Sequence, residues 1–222
     1  MRFKKIAVLT SKQSWFVPYA QRFIRQLRQA GFSSRFFDRH ENISEQYEVV
    51  FILSYFRIIP GEYLLRHRHN IVVHESDLPR GTGWAPLFWQ ILEGKNKIPF
   101  VLFEAGEKAD SGALYLKSSL QLRGNELYED IRRAQALKTI EMCMKFSKNF
   151  NHLRPQKQKG RRTFFRKRTP ADSELDIEKS IRSQFRLLRI VSNEDFPAFF
   201  RFRGEKYTIK IYKKGPYDKR EN

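Results

Sequence analysis

Four short apolar runs, Ile6–Leu9, Val49–Leu53, Ile71–Val73 and Ile98–Phe103, recur along the first half of this chain, with Phe32–Phe37 as a further candidate strand and segments of helical spacing between several of them. Runs of four to six residues rich in Val, Ile and Phe suit buried strands, and strands that alternate with helices favour parallel pairing. From Trp15 to Ala30 the apolar residues Phe16, Ala20, Phe23, Ile24 and Leu27 fall on one helical face, and Gly31 supplies the stop. Pro60 opens a short helix toward Leu65. Trp84–Leu92 reads as another, ending at Gly94, and Asn125 to about Lys148 as a long one, while Ala113–Leu116 adds a strand. The expectation is an α/β fold: a Rossmann-like, mostly parallel sheet covered on both faces.

At 222 residues and 41 % apolar, the chain can build one sizeable core, or one domain with an appendage. A single cysteine, Cys143, excludes an internal disulfide framework, and no Cys/His cluster has zinc spacing, so no metal is expected. No run approaches the ~20 apolar residues of a membrane helix, and there is no amino-terminal signal pattern, which makes the cytoplasm the expected location and a membrane role unexpected. The formal charge of +19 calls for anionic partners, whether nucleic acid, a membrane surface or phosphorylated small molecules. Of that excess, +11 lies in residues 151–222, and Arg154–Arg168 holds eight basic residues and no acid.

The texture changes near residue 150. Residues 151–172 read as a basic loop or linker, with three readings for the run inside it: a disordered linker, a lid over phosphates, or an RNA-binding strip. Residues 173–217 read as a helix and a β-hairpin. Ser173-Glu174-Leu175-Asp176 resembles a capping box opening a helix that buries Ile177, Ile181, Phe185 and Leu188. Phe199–Arg203 and Lys206–Lys213 alternate around Gly204-Glu205, as in a hairpin with a type II′ turn, and the tail Asp218–Asn222 reads as frayed.

Two stretches stand out as chemistry. Ile71–Val73 runs into His74-Glu75-Ser76-Asp77-Leu78-Pro79-Arg80-Gly81-Thr82-Gly83-Trp84, a histidine leaving a strand into a Pro/Gly-rich loop before a helix. Open α/β sheets place ligands at such carboxyl ends. Ile98–Phe103 runs into Glu104-Ala105-Gly106-Glu107-Lys108-Ala109-Asp110-Ser111-Gly112. His74 alone is more often a structural hydrogen-bonder, and Asp-Ser-Gly is ordinary turn chemistry. Their pairing is what points to function.

Together these stretches resemble the active-site segments of the 10-formyltetrahydrofolate-dependent formyltransferases, in which a strand ends in Asn-x-His-x-Ser-x-Leu-Pro and a later loop carries Asp-(Thr/Ser)-Gly. Tyr55-Phe56-Arg57-Ile58-Ile59-Pro60 is similar to the family's folate-lining segment, Pro155-Gln156 with Thr163-Phe164 to its Pro-Gln…Thr-Tyr stretch, and Asp195–Phe200 with Gly204–Ile211 to its closing β elements. The resemblance implies a catalytic domain over residues 1–150. It implies His74 as the group stabilising the oxyanion when an amine attacks the formyl carbon, Asp110 as its orienting partner and proton acceptor, and no metal. It implies folate contacts from Phe56, Ile58, Ile59, Phe103, Glu104, Ala105, Gly106 and Asp110. One position departs from the pattern. The family's Asn is here Val72, and Asn70 lies roughly 13 Å from His74 along an extended strand. A bulge bringing in Asn70, a substitute donor such as Ser76 or a backbone amide, or a bare dyad all remain open.

Three acceptors are familiar for the family: methionyl-tRNA, glycinamide ribonucleotide and nucleotide-linked amino sugars. The short chain, the Gly81–Pro86 variant and the terminal hairpin resemble small sugar N-formyltransferases, the type acting on a UDP-linked 4-amino-4,6-dideoxy-hexose in pseudaminic-acid-like pathways of surface polysaccharide synthesis. That resemblance implies substrate contacts from Lys12, Ser14, Trp15, Ser76, Arg80, Gly83 and Trp84, with Lys12 and Arg80 on phosphate and the tryptophans stacking. It argues against nucleic acid as a partner and is compatible with a homodimer. A methionyl-tRNA formyltransferase-like enzyme and a non-catalytic basic RNA-binding module are the competing readings, the second favoured by Val72.

Overall fold

The computed structural model describes residues 5–215; the tail 218–222, read above as frayed, and the end of the 173–217 segment lie outside the described residues. The chain begins with strand β1 (Lys5–Leu9), helix α1 (Val17–Gln29), β2 (Ser33–Phe37), β3 (Val49–Ile52), a single turn α2 (Gly61–Leu64) and β4 (His69–His74). A two-residue strand β5 (Thr82–Gly83), helix α3 (Pro86–Leu92), β6 (Lys97–Glu104), β7 (Leu114–Gln121) and the long helix α4 (Tyr128–Asn149) follow. Beyond these lie β8 (Phe164–Phe165), α5 (Ile181–Ile190), β9 (Ala198–Phe202) and β10 (Glu205–Ile209).

Six strands form the main sheet in the order β2-β1-β3-β4-β6-β7. The first four are parallel, and β6 and β7 join antiparallel. The mostly parallel α/β fold expected from the apolar runs is the one observed. Because β2 lies on one side of β1 and β3 on the other, the chain reverses direction between β1 and β3. Their carboxyl ends therefore diverge and open a crevice there, where such sheets bind ligands.

The two faces are covered differently. On one, Ile6, Val8, Phe51, Ile71, Phe100 and Leu102 meet Phe23, Ile24 and Leu27 of α1 and Ile140, Cys143 and Phe146 of α4 in the main core. The other face is closed by loops: Ala7, Leu9 and Val50 lie under Ile43 and Tyr47, and Val101 and Phe103 under Leu78 and Leu114. Strand β7 runs five residues past the expected Leu116. Its outer half, Lys117-Ser118-Ser119-Leu120-Gln121, is an edge in which Leu120 alone is apolar, too little to read as a strand.

The carboxyl-terminal part differs in detail from expectation. The helix starts at Ile181, not Ser173; Ser180 caps it by accepting from the Ser183 amide at 3.2 Å. Ile177 and Ile181, expected to be buried, are 46 % and 73 % exposed. The capping box lies earlier, between Thr169 and Asp172, and closes a 3₁₀ turn. In the hairpin Phe202 faces Glu205, so Arg203 and Gly204 form the turn, and both have positive φ, 50° and 84°. That is type I′ and not type II′.

Helix α5 is held to the rest by a buried guanidinium. Arg189, 3 % exposed, donates to Asn96 Oδ1 at 2.9 Å, Glu126 Oε2 at 3.0 Å and the Glu126 carbonyl at 3.2 Å. Burial opposes the Glu126 charge, but the Arg123 and Gly124 amides and Arg189 hold its pKa below the usual carboxylate range. Replacing Arg189 by Met is expected to lower stability by about 3 kcal/mol or more, because it strands Glu126 and Asn96 in the interior. Urea unfolding measures this, and a loss under about 1 kcal/mol would mean α5 docks by packing alone.

Candidate active site

Side chains alternate along β4, and that alternation sorts the candidate residues. Ile71 and Val73 turn toward the main core, whereas Val72 packs with Leu78, Val101, Phe103 and Leu114 on the other side. His74 and Ser76 continue the second side and are 7 % and 2 % exposed; Val73 and Glu75 continue the first and face a cavity.

The structure brings His74 and Asp110 together: His74 Nδ1 lies 3.9 Å from Asp110 Oδ1. The other ring nitrogen, Nε2, lies 2.9 Å from the Gly81 carbonyl. A carbonyl only accepts, so Nε2 carries a hydrogen and presents Nδ1 to the carboxylate. Asp110 has a left-handed φ of 57°, and its Oδ2 accepts from the Gly83 amide at 2.9 Å. The loop after β6 and the loop after β4 are thus joined through one carboxylate.

A strap from the basic run fastens both loops. Strand β8 pairs with β5; the Thr163 carbonyl accepts from the Thr82 amide at 3.0 Å and its hydroxyl at 2.8 Å, and the Trp84 amide donates to Phe165 at 3.0 Å. Thr163 Oγ1 accepts from the Gly81 amide at 2.8 Å. Gln158 donates to the Asp110 and Gly112 carbonyls, both at 2.9 Å, and Arg162 to the Ala109 carbonyl at 3.2 Å. Further on, Arg166 lies 4.8 Å over the Trp89 ring and chelates Asp172, whose carboxyl is held well below its usual range by that guanidinium. The segment is therefore built into the fold and is not the disordered linker that its composition suggested.

At the crevice between the ends of β1 and β3 lies a cavity of about 500 Å³. Trp15, Phe16, Phe56, Trp84, Phe88 and Tyr128 form its aromatic wall, and Arg132, Lys167 and Arg168 its cations. Arg132 is layered on Trp15, Phe88 and Tyr128 at 4.3, 4.5 and 5.1 Å. It donates to Gln135 Oε1 at 3.0 Å, and Gln135 donates to Glu75 Oε1 at 2.7 Å. A second cavity, about 460 Å³, lies at the amino end of β4 against Leu64, Leu65, Asn70, Glu104, Ala105 and Gly106.

Several sequence-derived residues stand elsewhere than expected. Asn70 does not bulge toward His74; its amide donates to the Leu64 carbonyl at 2.8 Å. Phe103 is 1 % exposed and packed with Leu78, Val101 and Leu114. Glu104, although on the second cavity, is engaged by His69 Nδ1 at 2.9 Å and Tyr115 Oη at 3.1 Å. Phe56 lines the first cavity; Ile58 is 92 % exposed and Ile59 packs on the loop-covered face. Of the expected substrate contacts, Trp15 and Trp84 line the first cavity. Ser14 is spent on Ser54 Oγ at 2.8 Å and Ser76 points to the other side of β4, with a buried hydroxyl that has no partner among the described residues. Lys12 and Arg80 are exposed and not on the cavity wall. Gly83 acts through its amide on Asp110. Sequence reading missed Glu75, Phe88, Tyr128, Arg132, Gln135, Lys167 and Arg168. Only Glu75 had a visible signal, since strand alternation puts it opposite His74.

Among the described residues no helix is long and apolar enough to cross a membrane, and no group of three His, Cys, Asp or Glu could hold a metal ion. Residues 33–141 match the formyl transferase family model. The fold is shared with methionyl-tRNA formyltransferase from Clostridium thermocellum (23 % identity, TM-score 0.76, covering 96 % of this chain and 95 % of that one). It is shared with a sugar N-formyltransferase from a Shewanella species (17 %, 0.66, 94 % and 97 %) and with HypX from Aquifex aeolicus in complex with tetrahydrofolic acid (18 %, 0.76, 93 % and 37 %). The matched stretch runs from β2 into α4 and includes both His74 and Asp110. The match covers 109 of the 222 residues, and the neighbours share the fold over nearly the whole of this chain.

Gly83 is where the loop and the strap meet most closely: its φ is +99°, and an added Cβ would stand 2.4 Å from the Phe165 carbonyl oxygen. A Gly83→Ala chain is expected to lose about 2 kcal/mol or more and to release the strap. Trypsin should then cut within Arg161–Lys167 faster than in the parent. Equal cleavage rates would show that the β5–β8 pairing does not hold the segment.

Proposed function

We propose that this domain moves a formyl group from 10-formyltetrahydrofolate to the amino group of a nucleotide-linked amino sugar, a UDP-4-amino-4,6-dideoxy-hexose by preference. The observation that carries the reading is the contact of His74 with Asp110 at the carboxyl end of β4, next to Val73 and Glu75, which line the first cavity. Folate supplies the formyl group. The second cavity suits it: Ala105 and Gly106 leave room, and Leu65 on its wall remains 88 % exposed, apolar surface that a flat pterin would cover.

The residues divide the work. His74 Nε2–H, now donating to the Gly81 carbonyl, is the donor for the oxygen on which negative charge develops, so a small shift of the 79–83 loop makes it available. The Gly81 carbonyl holds the ring tautomer, and Asp110, facing Nδ1, supports the positive charge that the ring carries when both nitrogens bear hydrogens. On the opposite side of β4, Glu75 offers a carboxylate to the acceptor amine. With Val72 buried in hydrocarbon, no asparagine amide assists, and the centre is a dyad.

Chain length does not separate the acceptors, since the Clostridium methionyl-tRNA enzyme is covered to 95 %. Cavity size favours the sugar nucleotide: about 500 Å³ lies within the range of sites that enclose small ligands. The test is a panel of UDP-, GDP- and dTDP-linked 3-amino and 4-amino sugars incubated with 10-formyltetrahydrofolate and assayed for formamide by mass spectrometry. At least one 4-amino sugar nucleotide is expected to gain a formyl group. Formylation of methionyl-tRNA with silence across the panel would overturn the acceptor, and salt-sensitive RNA binding without any formylation would favour the non-catalytic module.

A further inference from the structure

The basic strap brings charge into the first cavity without a salt-bridge partner for it among the described residues. Lys167 and Arg168 follow β8 directly and stand on the cavity wall opposite the β1 loop. Arg168 is half-buried. Its Nη1 donates to the Ile190 carbonyl, and its Nη2 to the Asp172 carbonyl and Ser173 Oγ, each at 3.3 Å. All three acceptors are neutral, and its buried Nε has no acceptor among the described residues. Lys167 makes a cation–π contact with Trp84 at 5.2 Å, and Arg132 bonds only to Tyr128 Oη and Gln135 Oε1. None of the three forms an ion pair among the described residues. The acids on the same wall are Glu75, which receives Gln135 at the β4 end, and the exposed Asp195 at the rim. Asp172 is already chelated by Arg166.

A guanidinium taken partly out of water without a counter-ion is costly, and an incoming anion removes that cost. Burial draws the Arg168 pKa downward even against the pull of the nearby Asp172 carboxylate, in the same sense. Two fixed guanidinium groups and one ammonium also match the several oxygens of a diphosphate better than a single carboxylate, because each guanidinium can bond two oxygens.

We propose that Arg168, Lys167 and Arg132 form the diphosphate seat of the acceptor site, so that the strap is part of the substrate pocket and not only a fastening for the active-site loops. The proposal rests on the nucleotide-sugar reading and replaces Lys12 and Arg80 as the phosphate ligands. On the same wall Phe56 and Trp84, 54 % and 44 % exposed, leave stacking surface for a base, and Glu75 marks the opposite, amine-accepting end.

Binding tests this without turnover. The full chain is titrated calorimetrically with UDP, GDP and dTDP, with the matching nucleosides, and with a short RNA at two salt concentrations. At least one diphosphate should bind about tenfold or more tighter than its nucleoside. Arg168→Gln and Lys167→Gln should each weaken that diphosphate about tenfold while leaving the nucleoside unchanged. Lys167 is exposed and accepts no structural duty, so its variant keeps the measurement valid if Arg168→Gln loosens the fold. Lys12→Gln and Arg80→Gln should bind as the parent does. Equal affinity for diphosphate and nucleoside, loss in Lys12→Gln or Arg80→Gln in place of the strap variants, or RNA binding that the strap variants weaken while diphosphate binding stays intact would each overturn the seat. The two readings fail separately: a panel sugar formylated by a strap double variant as well as by the parent sinks the seat alone, whereas strap-dependent diphosphate binding with no amine formylated sinks the transfer reading alone.

Discussion

The pairing of β4 with β3 on one side and β6 on the other is the constraint from which the site follows. It fixes β4 in the centre of the sheet, with Ile71 opposite Glu104 and His74 opposite Val101. In that register one residue of slip would exchange every side chain between faces. As built, His74 goes under the loops and Glu75 into the cavity, so an imidazole and a carboxylate adjacent in sequence serve opposite sides of one strand. The antiparallel return through β6 is what carries Asp110 back over the sheet to reach His74.

The second organising contact is the strap. A chain with a large positive charge is ordinarily expected to keep its basic stretches in solvent, yet residues 156–168 thread between the two loops of the site. Backbone hydrogen bonds do most of the fastening, at Thr82, Trp84 and Leu114, and they are indifferent to the charge of the side chains. The arginines are then free to be placed. Arg162 goes onto the Ala109 carbonyl, Arg166 onto Asp172 and Trp89, and Arg168 toward the cavity. Each is used differently, which no composition count could reveal.

The parallel sheet was legible in the sequence because each core strand is a short run of β-branched and aromatic residues with a glycine or polar break after it, a signal that local sequence carries fully. His74 and Asp110 were legible for a similar reason, since His74 ends a buried strand and Asp110 lies in the loop that follows another. The polar outer half of β7 was not, because an edge strand owes its conformation to its neighbour rather than to its own side chains. The start of α5 was misplaced by a plausible box at Ser173, while the true cap, Ser180, lacks the acidic residue three positions on. The cavity wall was the least legible part: Trp15, Phe88, Arg132 and Arg168 are far apart in sequence and meet only through the packing of α1, α3, α4 and the strap. Lys12 and Arg80 carry the expected charge but stand off the wall of the first cavity, because surface charge read without topology does not say which side chains converge.

The central claim is that the imidazole beneath the loops, and not the carboxylate in the cavity, carries formyl transfer. The most direct measurement is single-turnover formamide formation by a His74→Asn chain, with the affinities for folate and for the acceptor nucleotide measured in parallel. The account predicts a rate lower by about 10²–10⁴ with both affinities within about threefold of the parent. A rate that is unchanged, or one that falls only because a ligand no longer binds, would contradict it.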